Sequence, residues 1–160
     1  MNEVNKLETL QKSLLAADLE EADMAALADP MGVRTVPDGE MLVAEGGACR
    51  TLFVLAAGAL DVCRGAGGTE EIIYQMKVGE CVGARAFVDG SPYMMGLRAV
   101  GESSVLTLEP EAFEALGERH PRLMYRVMRA LFRITHINMT RVYFEGAELR
   151  NYLLKTGGRY

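Results

Sequence analysis

Glycine sets the limits on what this chain can fold into. From Met31 to Glu109 the sequence is a series of short apolar segments, each closed by a glycine or proline turn. No stretch in it runs free of these residues for the length of an ordinary helix. Pro37-Asp38-Gly39 closes one segment, Glu45-Gly46-Gly47 the next, and Gly58 interrupts the run that starts at Thr51. Turns at this density, about every 8–12 residues, predict many short strands in a sandwich or barrel. Leu52, Phe53, Val54 and Leu55 are consecutive and apolar, the pattern of a strand buried on both faces. Ala59 to Arg64 alternates instead, with Leu60 and Val62 on one face and Asp61 and Cys63 on the other. Glu70 to Met76 answers it as a return strand across the loop Gly65-Ala66-Gly67-Gly68. No Gly-Lys-Ser/Thr follows that loop, so it is not a phosphate loop of the nucleotide-hydrolase kind.

Helices bracket this region. Leu7, Leu10, Leu14 and Leu15 recur at helical spacing within Val4 to Ala28, and Asp18 with Glu21 forms a capping-box-like start for a second helix before Pro30. After Glu109-Pro110, Glu111 to Gly117 predicts a short helix, and Pro121 opens a long one. On it Met124, Leu131 and Asn138 are spaced by sevens, as are Val127, Ile134 and Arg141. Two readings fit. In one, the chain is a homodimer through Pro121 to Glu145, with Val127, Leu131 and Ile134 across the axis and Asn138 fixing the register. In the other, a single helix packs on its own barrel and Asn138 is simply exposed. Gly146 is expected to end the helix, with a turn or two more from Glu148 to Lys155. Residues 1–146 then form one domain and 147–160 a short tail.

Composition excludes several classes. The chain has 160 residues, 49% of them apolar, enough for one core. A net charge of −5 argues against a general nucleic-acid binder, which shows a basic face. No apolar run reaches the length of about 18 residues that a membrane span needs. The first residues lack the basic-then-apolar layout of a secretory signal, so a cytoplasmic protein is expected. Cys49, Cys63 and Cys81 form no CxxC pair and read as free thiols, wholly or partly buried. His120 and His136 stand alone, without the histidine cluster of a metal-dependent cupin. Nothing singles out a haem ligand, and no nucleophile motif or carboxylate pair appears, so no enzyme is predicted.

The stretch from Gly79 to Ala99 carries the most information. It offers a Gly79-Glu80 turn, Gly83, a short helix from Ala84 to Val88, a turn at Asp89-Gly90-Ser91-Pro92 and a strand from Tyr93 to Leu97. Glycine ahead of a short helix bares backbone N–H groups and lets a ligand approach closely. The same residues also suit a tight strand-to-strand connection.

Taken together, Pro37-Asp38-Gly39-Glu40-Met41-Leu42, Glu45-Gly46, Leu52 to Leu55 followed by Gly58 to Val62, Gly79-Glu80, Gly83 and Arg98-Ala99 carry a resemblance. From about Leu14 to Arg141 the chain resembles the cyclic-nucleotide-binding domain of the catabolite-activator type. The resemblance implies an α+β fold, a jelly-roll-like β-roll of the eight-stranded type with N-terminal helices and a long C-terminal helix. It makes Gly79 to Ala99 the phosphate-binding cassette, a cyclic nucleotide the implied ligand, and a regulatory sensor signalling through its last helix the implied function. The implied contact residues are Gly83, Ala84, Arg85, Ala86, Tyr93, Met94 and Arg98. Where the family places a ribose-binding Glu and a phosphate-binding Arg, this chain has Ala84 and Tyr93; Met94 and Met95 follow. Each lost charge-assisted bond is worth roughly 1.5–3 kcal/mol. Weak binding, a non-standard ligand, or a dimeric scaffold with a dead pocket are the resulting expectations. A smaller, more apolar cavity walled by Tyr93, Met94 and Met95 is predicted, with Arg85 and Arg98 as the nearby cations; the resemblance also allows Arg98 a purely structural role. Too few residues follow Gly146 for the helix-turn-helix of the family's DNA readers, so a stand-alone module without direct DNA contact is expected.

Overall fold

Two long bent strands carry the sheet. The computed structural model describes residues 3–66 and 68–156. Its strand β3 (Leu52–Ala66) pairs antiparallel with the last strand, β6 (Gly96–Leu108), from Leu52 opposite Leu108 to Cys63 opposite Gly96. The register breaks between Leu55 and Ala57 and again between Ala57 and Ala59. Gly58 makes that bend. Its φ is +82°, and a Cβ there would stand 2.3 Å from the Ser103 Oγ. Ser103 fills the break, accepting from the Ala59 N–H at 3.1 Å and donating to the Ala59 carbonyl at 2.9 Å. Strands β1 (Gly32–Val36) and β2 (Met41–Val43) pair with β6; β4 (Thr69–Met76) and β5 (Cys81–Val82) pair with β3. The segments expected as separate strands on either side of Gly58, and on either side of Gly101, are therefore single bent strands. Six strands result among the described residues, where an eight-stranded roll was expected. The α+β roll with flanking helices stands.

Strand β3 divides two cores. Leu52 and Val54 join a helix-side layer with Leu10, Leu15, Leu27, Phe113 and Leu123. Phe53 and Leu55 face the roll interior with Val36, Leu60, Leu97 and Val105. Each such side chain contributes about 1.5–3 kcal/mol by leaving water, so this strand holds both layers together.

The helix side begins with α1 (Lys6–Gln11), a 3-10 turn (Leu14–Ala16) and α2 (Glu21–Ala28). Leu10 and Leu15 enter the core while Leu14 stays exposed. The cap of α2 is Glu20, whose N–H donates to Asp23 at 3.2 Å, rather than Asp18. Asp18 serves the long helix instead, meeting Arg133 at 2.6 Å and Arg129 at 3.4 Å. Arg126 grips Asp23, and Glu20 at 3.1 Å. Three arginines thus strap the last helix to residues 18–23. The Arg133 hydrogen bond holds the Asp18 carboxyl below its ordinary value of 3.8, and Arg98 does the same for Glu70, ordinarily 4.5. A carboxyl whose pKa is lowered by folding stabilises the fold above its unfolded value and loses that stabilisation as pH falls through the folded one. Thermal melts should therefore show a fall in Tm below about pH 4.5. That fall should be shallower in Arg133→Gln and in Arg98→Gln; equal slopes in all three proteins would contradict the assignment.

After α4 (Pro110–Arg119) comes α5 (Pro121–Thr156), which passes straight through Gly146. A Cβ at Gly146 would meet nothing, so its cost is the backbone entropy of about 1 kcal/mol that a 36-residue helix absorbs. Residues 157–160 of the expected tail, and Gly67 of the hairpin loop, lie outside the described residues. Leu123, Val127, Ala130, Leu131 and Ile134 face the helix-side core. The seam expected at a dimer axis is thus spent inside the protein's own domain, with Asn138 exposed. Among the described residues no helix is long and apolar enough to cross a membrane.

Candidate functional site

The cassette hangs between β5 and β6. β5 pairs with Phe53 and Val54, and Gly83 follows at φ +92°, turning the chain into α3 (Ala84–Asp89); Gly90 at φ +76° ends it. The next residues are not a strand as expected, since β6 starts only at Gly96. Tyr93 is instead pinned by backbone bonds to the β2–β3 loop: its N–H donates to Gly47 at 3.0 Å, and its carbonyl accepts from Gly46 at 2.7 Å. Irregular backbone here lets the side chain turn inward, where strand alternation would have fixed its face.

The ring of Tyr93 is 5% exposed and packs 6.4 Å from that of Phe53. Its hydroxyl donates to the Thr51 carbonyl at 2.5 Å. It also occupies the ground over the cassette glycine, where a Cβ on Gly83 would lie 1.8 Å from it. Burial pushes the phenol pKa up, so it stays a neutral donor. Thr51 in turn donates its own hydroxyl to both oxygens of Glu109, at 2.8 and 3.0 Å.

The structure brings Gly83, Ala86 and Tyr93 together and sends the other expected residues elsewhere. Ala86 lies in the roll core and Ala84 packs against the helix-side core. Met94 is 70% exposed and walls nothing, and Met95 is half-buried. Arg85 points outward to Asp89 at 3.6 Å. Arg98 lies on the face of β6 opposite Leu97 and Ala99, as the two-residue period requires. It is held there by Glu70 at 2.8 and 2.9 Å and donates to the Gly39 carbonyl at 2.7 Å. Arg85 also reaches the Met94 sulfur at 3.7 Å, so it stays among the cassette's outer residues, while Arg98 is committed to Glu70 and Gly39. The Tyr93 side chain lies against Gly83 and Phe53, on the roll side of the cassette helix. Two shallow grooves lie outside the roll: one of about 270 Å³ between α3 and α5, one of about 360 Å³ between α2 and α4.

Sequence reasoning missed Thr51, Glu109 and Glu70. Glu109 carried a signal, an acidic residue just ahead of a proline that opens a helix. Glu70 carried none, because only the strand register brings it to Arg98. Cys63 and Cys81 are buried free thiols, and burial pushes Cys81 up to about 12 and also raises Cys63; Cys49 is half-buried. Among the described residues no group of three His, Cys, Asp or Glu side chains could hold a metal.

A roll with a glycine-led helical cassette and a long terminal helix is a defined fold class. The family model for the cyclic nucleotide-binding domain matches residues 33–120, and the chain belongs to that family. It is similar to the cyclic nucleotide-binding domain from Methylobacillus flagellatus, at 20% identity and TM-score 0.78, over 88% of this chain and 79% of that one. It is similar to the Thermus thermophilus catabolite activator protein at 23% identity and TM-score 0.66, over 89% of this chain and 63% of that one. It is also similar to the regulatory subunit of a cAMP-independent protein kinase A from Trypanosoma brucei, at 19% identity and TM-score 0.68, over 81% of this chain and 44% of that one. At these identities the likenesses establish the fold.

Proposed function

We propose that this chain is a regulatory module of the family that works with its phosphate site filled by its own Tyr93, and acts as a homodimer through α5. The observation that carries this reading is the buried Tyr93 hydroxyl, bonded to Thr51 and seated against Gly83. A cyclic phosphate in the usual place would have to expel that ring and would meet no arginine in return. The similar Trypanosoma brucei protein is described as the regulatory subunit of a cAMP-independent kinase, which supports the reading. The dimer reading rests on the outer stripe of α5, where Tyr125, Phe132, Met139 and Leu153 are exposed and multiples of seven apart. Signalling then passes through that helix.

Calorimetry with cyclic AMP and cyclic GMP tests the filled site. The wild type should bind at or above roughly 100 μM, about −5.5 kcal/mol, or not at all. Tyr93→Arg with Ala84→Glu should gain affinity, since it removes the ring and restores both charges. Low-micromolar binding by the wild type would overturn the reading. A second reading, a sensor for a small non-standard ligand, is supported by the groove between α3 and α5, lined by Ala84, Arg85, Val88, Met128 and Phe132. A thermal-shift screen extended to cyclic dinucleotides would register it as a rise in Tm.

A further inference from the structure

The filled cassette is connected to the helices that follow the sheet. Thr51 takes the Tyr93 hydroxyl on its carbonyl and gives its own hydroxyl to Glu109. Glu109 caps α4, accepting the Phe113 N–H on its carbonyl at 3.1 Å. From the other side, Phe87 of α3 meets the ring of Phe113 at 5.3 Å. The first turn of α4 thus receives one polar and one aromatic contact from the cassette region. Its far end leads directly into α5, with Gly117 against Met124 and the Met124 N–H donating to His120.

We infer that Tyr93 serves as an internal ligand: it holds α3 docked and, through Thr51 and Glu109, fixes the start of α4, so the position of α5 is set by a side chain instead of a bound molecule. The inference rests on the filled-site reading above. The physical basis is that both links are buried or half-buried. Losing the Tyr93 hydroxyl removes a buried bond to the Thr51 carbonyl, and losing the Thr51 hydroxyl releases the Glu109 carboxylate from the cassette side.

Hydrogen exchange read by mass spectrometry tests it on the full chain, as wild type, Tyr93→Phe, Thr51→Val, Thr51→Ser, Glu109→Ala and Glu109→Gln. Tyr93→Phe and Thr51→Val should each speed exchange in both 84–89 and 111–119 by roughly three- to tenfold. Exchange in β1 should stay at the wild-type rate, and Thr51→Ser should match the wild type throughout. The relay is overturned if Tyr93→Phe leaves 111–119 unchanged, or if Thr51→Val changes that helix alone. Should either variant fail to fold, Glu109→Ala decides beside Glu109→Gln: losing the acceptor of the Thr51 hydroxyl should speed exchange in 84–89, while Glu109→Gln, which can still accept it, should stay at the wild-type rate; a wild-type rate in Glu109→Ala removes the relay. Calorimetry keeps the two readings apart. Tight cyclic-nucleotide binding removes the filled site whatever the exchange shows; uncoupled exchange without binding removes the relay alone.

Discussion

Gly83→Ala should lower the melting temperature by roughly 6–12 °C, with the backbone and the crowding against Tyr93 and Thr51 contributing about equally. Two costs add. The backbone at Gly83 sits at φ +92°, where an L side chain costs about 1–2 kcal/mol. A Cβ would also lie 1.8 Å from the Tyr93 hydroxyl and 2.9 Å from the Thr51 carbonyl oxygen. Neither neighbour can give way cheaply. The ring is packed on Phe53, and the carbonyl belongs to the residue that opens β3. Overpacking of this kind costs about 1–3 kcal/mol. The sum, about 3 kcal/mol, converts at about 2–4 °C per kcal/mol for a domain of this size. Gly101 supplies the control: its φ is +70°, yet a Cβ there meets nothing, so Gly101→Ala should show the backbone cost alone. If the two variants melt within about 1 °C of each other, Tyr93 is not seated against Gly83. In a Tyr93→Ala background, Gly83→Ala should cost less than in the wild type but still more than Gly101→Ala, because the Thr51 carbonyl oxygen remains 2.9 Å from the new Cβ.

How much of this was legible depended on whether local chemistry or long-range register decides. The strand character of 52–55 and the alternation of 60–63 were legible, because burial on one face or two leaves its period in the sequence. The cassette helix was legible from Gly83 and Gly90, which bracket it at positive φ. What stayed hidden was strand continuity. A glycine can end a strand or bend it, and Gly58 and Gly101 bend theirs because Ser103 and the opposing strand carry the ladder past them. The roles of Arg98 and Tyr93 were hidden for opposite reasons. Arg98 sits in a regular strand, so its face follows from its neighbours once the true strand limits are known. Tyr93 sits outside any strand, so no period governs it; the loop bonds to Gly46 and Gly47 aim it inward.

The long helix posed a different problem. It carries two apolar stripes, and a sequence does not say which one the domain keeps for itself. Leu123, Val127, Leu131 and Ile134 lie on one; Tyr125, Phe132 and Met139 lie on the other. The first stripe is aliphatic and compact, which suits close packing beneath a sheet and three short helices. The second is aromatic and methionine-rich, side chains that adapt to a partner surface. The charges agree with this division. Arg126, Arg129 and Arg133 flank the inner stripe and meet the acidic residues of the N-terminal segment.

Adjacent substitutions on this helix should therefore fail in opposite ways. Leu131→Asp should unfold the domain or lower its melting temperature by more than about 10 °C, because the residue is 2% exposed and an unpaired carboxylate in that layer costs more than about 4 kcal/mol. Phe132→Asp should leave the fold within about 0.5 kcal/mol of the wild type, because that side chain is 78% exposed. Its effect should fall on assembly. In a parallel pair of α5 helices, position 132 faces its own copy across the two-fold axis, so the substitution sets two carboxylates against each other and removes the largest apolar group of the stripe. Light scattering at several concentrations should give a dimer for the wild type and a monomer of unchanged circular dichroism for Phe132→Asp. Met139→Asp, one heptad on, should repeat the result. A wild type that is monomeric at every concentration, or a Phe132→Asp dimer as tight as the wild type, would remove α5 as the assembly surface. In the first case the aromatic stripe would have to meet some other partner. In the second, the subunits would have to join elsewhere on the domain.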